Sequence, residues 1–127
     1  MDFSLATEHE ILRNSVRNFA LKEIQPQARG LDEREEFSPD LTRAMGKLGL
    51  FGMVVPEDYG GQGLDYLGYI IAVEELARVD GSQAATVAAA NSLGSSPIYE
   101  FGTEEQKRKY LSKLSSGEAL WAVGLTE

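Results

Sequence analysis

The stretch "DYLGYIIAVEELARVDGSQAATVAAANSLGSSPIYEF", residues 65–101, carries most of the information about the fold. Over 65–79 apolar residues recur at helical spacing, and Leu67, Ile70, Ile71 and Leu76 form the side expected to be buried. Gly81 suits the C-terminal cap of that helix, and Ser82 can open the next one. The next helix is rich in alanine and should run on until Gly102 stops it. Ala84, Ala85, Ala88, Ala89 and Ala90 occupy most of its wheel. Side chains this small either let neighbouring helices come close or leave room for an apolar ligand. Spacing alone does not separate the two.

Toward the N-terminus, Thr7-x-x-Glu10 has the form of a capping box, and Ile11, Leu12, Val16, Phe19, Ala20 and Ile24 follow at helical intervals. Pro26 disfavours α conformation in Gln25, so this helix either weakens there or continues with a kink toward Asp32. Ser38-Pro39 reads as an N-cap with proline at the first helical position. The short helix it opens carries Leu41, Met45 and Leu48 and ends near Gly49. "FGMVVPEDYGGQGLD", residues 51–65, is turn-rich, with a short extended piece expected at Met53–Val55. Toward the C-terminus, Thr103-x-x-Gln106 is a second capping box, opening a helix that turns Tyr110, Leu111 and Leu114 inward until Gly117. Trp121-Ala-Val-Gly-Leu reads as the beginning of a strand that has no partner strand in the sequence. The expected fold is all-α: an orthogonal or up-down bundle of about five helices, with a Gly-rich loop and a short terminal extended segment.

Composition narrows the function classes. The 127 residues are one domain's worth, and a net charge of -8 argues against nucleic acid or an anionic membrane as the main partner. No cysteine is present, which excludes disulfides and thiolate chemistry. The opening "MDFSLATEHE" lacks a signal-peptide pattern, and no run approaches the 18 or so apolar residues of a membrane span. A cytoplasmic setting is expected.

Site motifs are sparse. The single histidine, His9, has no Glu-x-x-His setting, so it reads as a surface residue and no metal site is expected. "GGQGLDYLG" fails the dinucleotide fingerprint because Tyr66 stands three after Gly63, so its glycines read as turn formers. Lys107, Arg108 and Lys109 follow Glu104 and Glu105 and read as an ordinary charged helix face. No residue stands out as catalytic.

Taken in order, five pieces of the chain resemble the N-terminal helical domain of the flavin-dependent acyl-CoA dehydrogenases. "FSLATEHEILRNSVRNFALKEIQPQA" is similar to the family's opening helix. "MGKLGLFGMVVPEDYGGQG" holds its P-E-x-Y-G-G-x-G loop at Pro56, Glu57, Tyr59, Gly60, Gly61 and Gly63. "VEELARVDGS", "NSLGSSPI" and "FGTEEQKRKYLSKLSSGE" resemble the helices that follow. Ser112 departs from the pattern, standing where the family usually has proline.

The resemblance implies FAD as cofactor, α,β-dehydrogenation of an acyl-CoA thioester, and electrons leaving to an electron-transfer flavoprotein. It implies that 1–118 is the helical domain and that 119–127 leads into a β-domain. It assigns flavin contacts to Val123, Leu125 and Thr126, and the acyl pocket to Ala89, Ala90 and Leu93. The family's catalytic base lies in its C-terminal domain, and no glutamate here, Glu57, Glu74, Glu75 and Glu127 included, matches its motif. The chain is therefore expected to be a fragment, inactive alone, with exposed faces that favour self-association or homo-oligomer formation. The other reading is a stand-alone, non-catalytic helical interaction module of the same fold.

Overall fold

Two prolines lie inside continuous helical rods of this fold. The computed structural model describes residues 3–126. The first helix, α1 (Thr7–Phe19), widens into a π-helical turn at Ala20–Ile24 and then resumes as α2 (Gln25–Glu33). The Gln25 N–H reaches back five residues to the Ala20 carbonyl. This extra residue per turn accommodates Pro26, whose ring would crowd the preceding turn of a regular α-helix and which brings no N–H of its own. The helix thus continues through the proline. The same device recurs where α5 (Gly81–Ala89) passes through a second π turn (Ala90–Ser95) into α6 (Ser96–Phe101), just ahead of Pro97.

With α3 (Pro39–Lys47), α4 (Tyr66–Ala77) and α7 (Glu104–Ser115), the described residues form five helical rods. In the bundle α4 lies between α1 and α5, and α7 packs on α6 and the second π turn. The main core gathers Val16, Ala20, Ile24, Leu41, Met45, Phe51, Met53, Ala72, Leu76 and Val87. A second cluster of Val55, Leu111 and Leu114 sits beneath Tyr59, Ile98 and Tyr99.

Two of the expected caps form. The Ser38 hydroxyl accepts the Leu41 N–H at 3.2 Å, with Pro39 in the first turn. Thr103 and Gln106 exchange both bonds of a capping box, at 2.8 and 3.3 Å. The box at Thr7 does not form, because the chain enters the helix one residue earlier, at Ala6, and Glu10 pairs with Arg13 instead. Asp80, rather than Ser82, caps α5 by accepting the Ser82 N–H at 2.8 Å. Gly81 accordingly lies in the first turn of α5, while α4 ends on Arg78.

Three further expectations are corrected. Leu67 and Ile70 are exposed, and α4 buries Gly68, Tyr69, Ile71, Ala72, Glu75 and Leu76 instead. The helix is apolar nearly all round, so its pattern does not specify an inward face. No strand occurs among the described residues, either at Met53–Val55 or after Trp121. Phe51, Met53 and Val55 nevertheless point into the interior like alternate residues of a strand. His9 is only 14% exposed at its side chain, and its Nε2 lies 3.0 Å from Asp65, joining α1 to the cap of α4.

Candidate functional site

Only one side of α5 faces the core, through Gln83, Ala84 and Val87. The other side presents Ala85, Thr86, Ala89 and Ala90, which with Leu120 and Trp121 line a cavity of about 340 Å³. The opposite wall exists because the chain doubles back after α7: the Ala119 N–H binds the Lys113 carbonyl at 3.1 Å. Trp121 then seats on the second π turn, where a Cβ added to Gly94 would stand 3.4 Å from the indole's own Cβ. Its ring meets Tyr110 edge-on at 5.4 Å.

Asn91, fully buried in that π turn, fixes the helix to the loop beneath it. Its Oδ1 accepts the Met53 N–H at 2.8 Å, and its Nδ2 donates to the Leu50 carbonyl at 2.7 Å and the Val87 carbonyl at 3.0 Å. The Val87 bond satisfies an oxygen beside the widened turn. Ser92 donates similarly to the Ala88 carbonyl at 2.7 Å, and Ser96 to the Asn91 carbonyl at 2.8 Å. Tyr69 of α4 also donates to the Ala88 carbonyl, at 3.0 Å. The buried Asn91 side chain is thereby fully engaged, whereas the Ser95 hydroxyl, buried in the same turn, has no hydrogen-bond partner among the described residues.

The Gly-rich loop is a brace for this wall. A side chain on Gly61 would place its Cβ 1.9 Å from the Val55 carbonyl oxygen, so only glycine lets the loop close there. Gly60, at φ 83°, turns the backbone left-handed beside Ser112. Ser112, the departure from the family pattern, is thus exposed but packed against the loop. Tyr59 donates to Glu104 at 2.9 Å, a bond that raises its pKa, and meets Tyr99 edge-on at 6.1 Å. The basic run on α7 is more than a solvated face. Lys107 lies over Tyr99 at 5.2 Å, Arg108 over Tyr59 at 5.9 Å and Lys109 over Tyr110 at 5.1 Å.

The most buried carboxylate is Glu75, 3% exposed, gripped by Arg17 through two bonds of 2.8 and 2.7 Å. Those hydrogen bonds, outweighing burial and helped by the charges of Arg17, Arg78 and Arg13, hold its pKa below the ordinary value. Glu75 is a structural anion joining α4 to α1. Asp65 is lowered too, first by the Gly68 N–H and then by His9. Glu57 and Glu74 are exposed, and Glu127 lies outside the described residues.

Of the residues the resemblance assigns to an acyl pocket, Ala89 and Ala90 line the cavity, whereas Leu93 is 56% exposed and outside its lining. Val123, Leu125 and Thr126 follow Trp121 on an exposed segment. Among the described residues, no backbone hydrogen bond engages 120–126. Sequence reasoning missed Thr86, Leu120 and Trp121 as cavity walls and Asn91 as the latch. Asn91 left one signal: a poor helix former at the end of an alanine run.

The family model described as "Acyl-CoA dehydrogenase, N-terminal domain" matches residues 6–118. A probable acyl-CoA dehydrogenase of Bacillus subtilis is 49% identical over 127 residues, all of this chain and 33% of that protein. The structure of butyryl-CoA dehydrogenase from Megasphaera elsdenii matches with a TM-score of 0.92 at 39% identity, covering 100% of this chain and 34% of that one. An acyl-CoA dehydrogenase complexed with FAD from Bacillus anthracis matches at a TM-score of 0.85 and 40% identity, over 92% of this chain and 20% of that one. The chain thus spans about a third of the length of the curated relative it matches.

Proposed function

The chain belongs to the acyl-CoA dehydrogenase family through its N-terminal domain, and from that premise we propose that it forms one wall of a flavin-dependent enzyme that oxidises an acyl-CoA thioester between its α and β carbons. The observation that carries this reading is the cavity between α5 and the returning segment, walled by Ala89 and Ala90 on one side and by Leu120 and Trp121 on the other. A saturated acyl tail gains from leaving water for such an apolar groove and needs no polar partner there.

The residues present fit a flavin. Residues 123–126 are exposed and their backbone N–H and C=O groups make no hydrogen bond among the described residues, a suitable match for the polar edge of a flat ring, and the Thr126 hydroxyl can both donate and accept. Bound FAD would accept the hydride from the β carbon. This chain's share is positional: Val123, Leu125 and Thr126 hold the ring edge, Ala89 and Ala90 hold the tail, and Asn91 keeps that wall in place. The α proton is left to a carboxylate supplied by further polypeptide, because Glu75 is committed to Arg17.

We place the domain boundary at 118–119. The end of α7 at Ser115 and the end of the family match at 118 support that position. Electrons would leave to an electron-transfer flavoprotein, in the cytoplasm. Exposed Ile11, Leu67, Ile70 and Phe101 would drive self-association when this chain stands alone.

The test joins this chain to the remaining two thirds of the Bacillus subtilis relative. The chimera should retain flavin and reduce a dye in the presence of acyl-CoA, while this chain alone should do neither. A folded, flavin-loaded chimera without acyl-CoA-dependent reduction refutes the reading. A monomeric mass by light scattering at high concentration refutes the self-association.

A further inference from the structure

Trp121 lines two cavities at once. On one side is the groove with Ala85, Thr86, Ala89, Ala90 and Leu120. On the other is a second, mostly apolar cavity of about 470 Å³, where Pro97, Ile98, Phe101 and Tyr110 face the same indole. We propose that Trp121 is a specificity-determining partition, which ends the acyl groove at its ring and restricts the site to short acyl chains. This inference rests on the acyl-binding role proposed above.

The indole is held where a partition must stand. Its Cβ packs over Gly94, and Tyr110 meets its ring at 5.4 Å. Tyr110 is itself anchored on α7 beneath Lys109. Among the described residues, no other lines both cavities. Beyond the indole, the second cavity offers a tail the apolar surfaces of Ile98 and of Phe101, which is 88% exposed. An acyl chain that could pass Trp121 would therefore keep gaining contact with each added carbon. A chain stopped by it would not.

The test uses straight-chain alkanoates of four to twelve carbons, titrated calorimetrically into the full chain and into its W121A and W121F variants. For the unaltered chain and W121F, affinity should rise with length and then level off. In W121A it should continue to rise beyond that length, by up to about fourfold per buried methylene. A plateau at the same length in W121A overturns the partition, as does a continuous rise in the unaltered chain or the absence of binding to both. Alkanoate binding needs no flavin and no turnover, so failure here is distinguishable from failure of the chimera.

Discussion

The two π turns solve one backbone problem by different means. Ala20–Ile24 precedes Pro26 and Ala90–Ser95 precedes Pro97, and in each the wide turn admits a proline into a rod that continues. The first is held by packing: Ala20 and Ile24 are fully buried in the main core. Among the described residues its one side-chain bond to a backbone group is Gln27 to the Glu23 carbonyl, exposed at 2.8 Å. The second is held by polar stitching from Asn91, Ser92, Ser96 and Tyr69. Stitching leaves the outer side of the rod free of large side chains, and that is where the cavity lies. A π turn secured by bulk would have filled it.

The sharpest way to break this comparison is Asn91→Leu. It strands the Met53 N–H and the Leu50 carbonyl in the interior, so unfolding in urea should show a loss of about 3–5 kcal/mol. Ile24→Ala should cost about 3 kcal/mol by the same measurement, through lost burial and a residual cavity. A polar lesion that proved harmless, or an apolar one that did, would erase the distinction between the turns.

Acid should act on the first rod with a smaller effect. The Glu75 and Asp65 pKa values are depressed in the fold. Their contribution is therefore present above the unfolded carboxylate range and is lost as pH falls below that range, through the lower, folded values. Amide hydrogen exchange should then rise in residues 20–25, one turn beyond Arg17, before it rises in 90–96. The smallest change is expected for Ser96→Ala, about 1 kcal/mol by urea unfolding, since the Asn91 carbonyl keeps the Ser96 N–H when the hydroxyl is removed.

The sequence declares the parts of this fold that are written locally. Ser38-Pro39 and Thr103-x-x-Gln106 specify their helix starts within four residues, and both caps form. The π turns escaped notice because widening a helix by one residue leaves the surrounding apolar spacing intact; a proline inside a helical pattern signals a kink without specifying its form. Leu67 and Ile70 were misplaced because α4 is apolar on nearly every side, so its orientation is decided by α1 and α5. Glu75 looked like any helix glutamate, since its partner Arg17 is 58 residues away in sequence. At the candidate site, alanine content pointed to α5, whose outer side lines the cavity. Its opposing wall depended on where Trp121 lands after the chain reverses, which no spacing rule encodes.

Trp121 is also the chain's single tryptophan, and it is 40% exposed. Tryptophan emission from this protein therefore originates at the seam between its two apolar hollows. Any occupant that dries the seam should shift that light toward the blue. The molecule carries its own dye, already positioned at the place of interest, and an observer needs no label to see it filled.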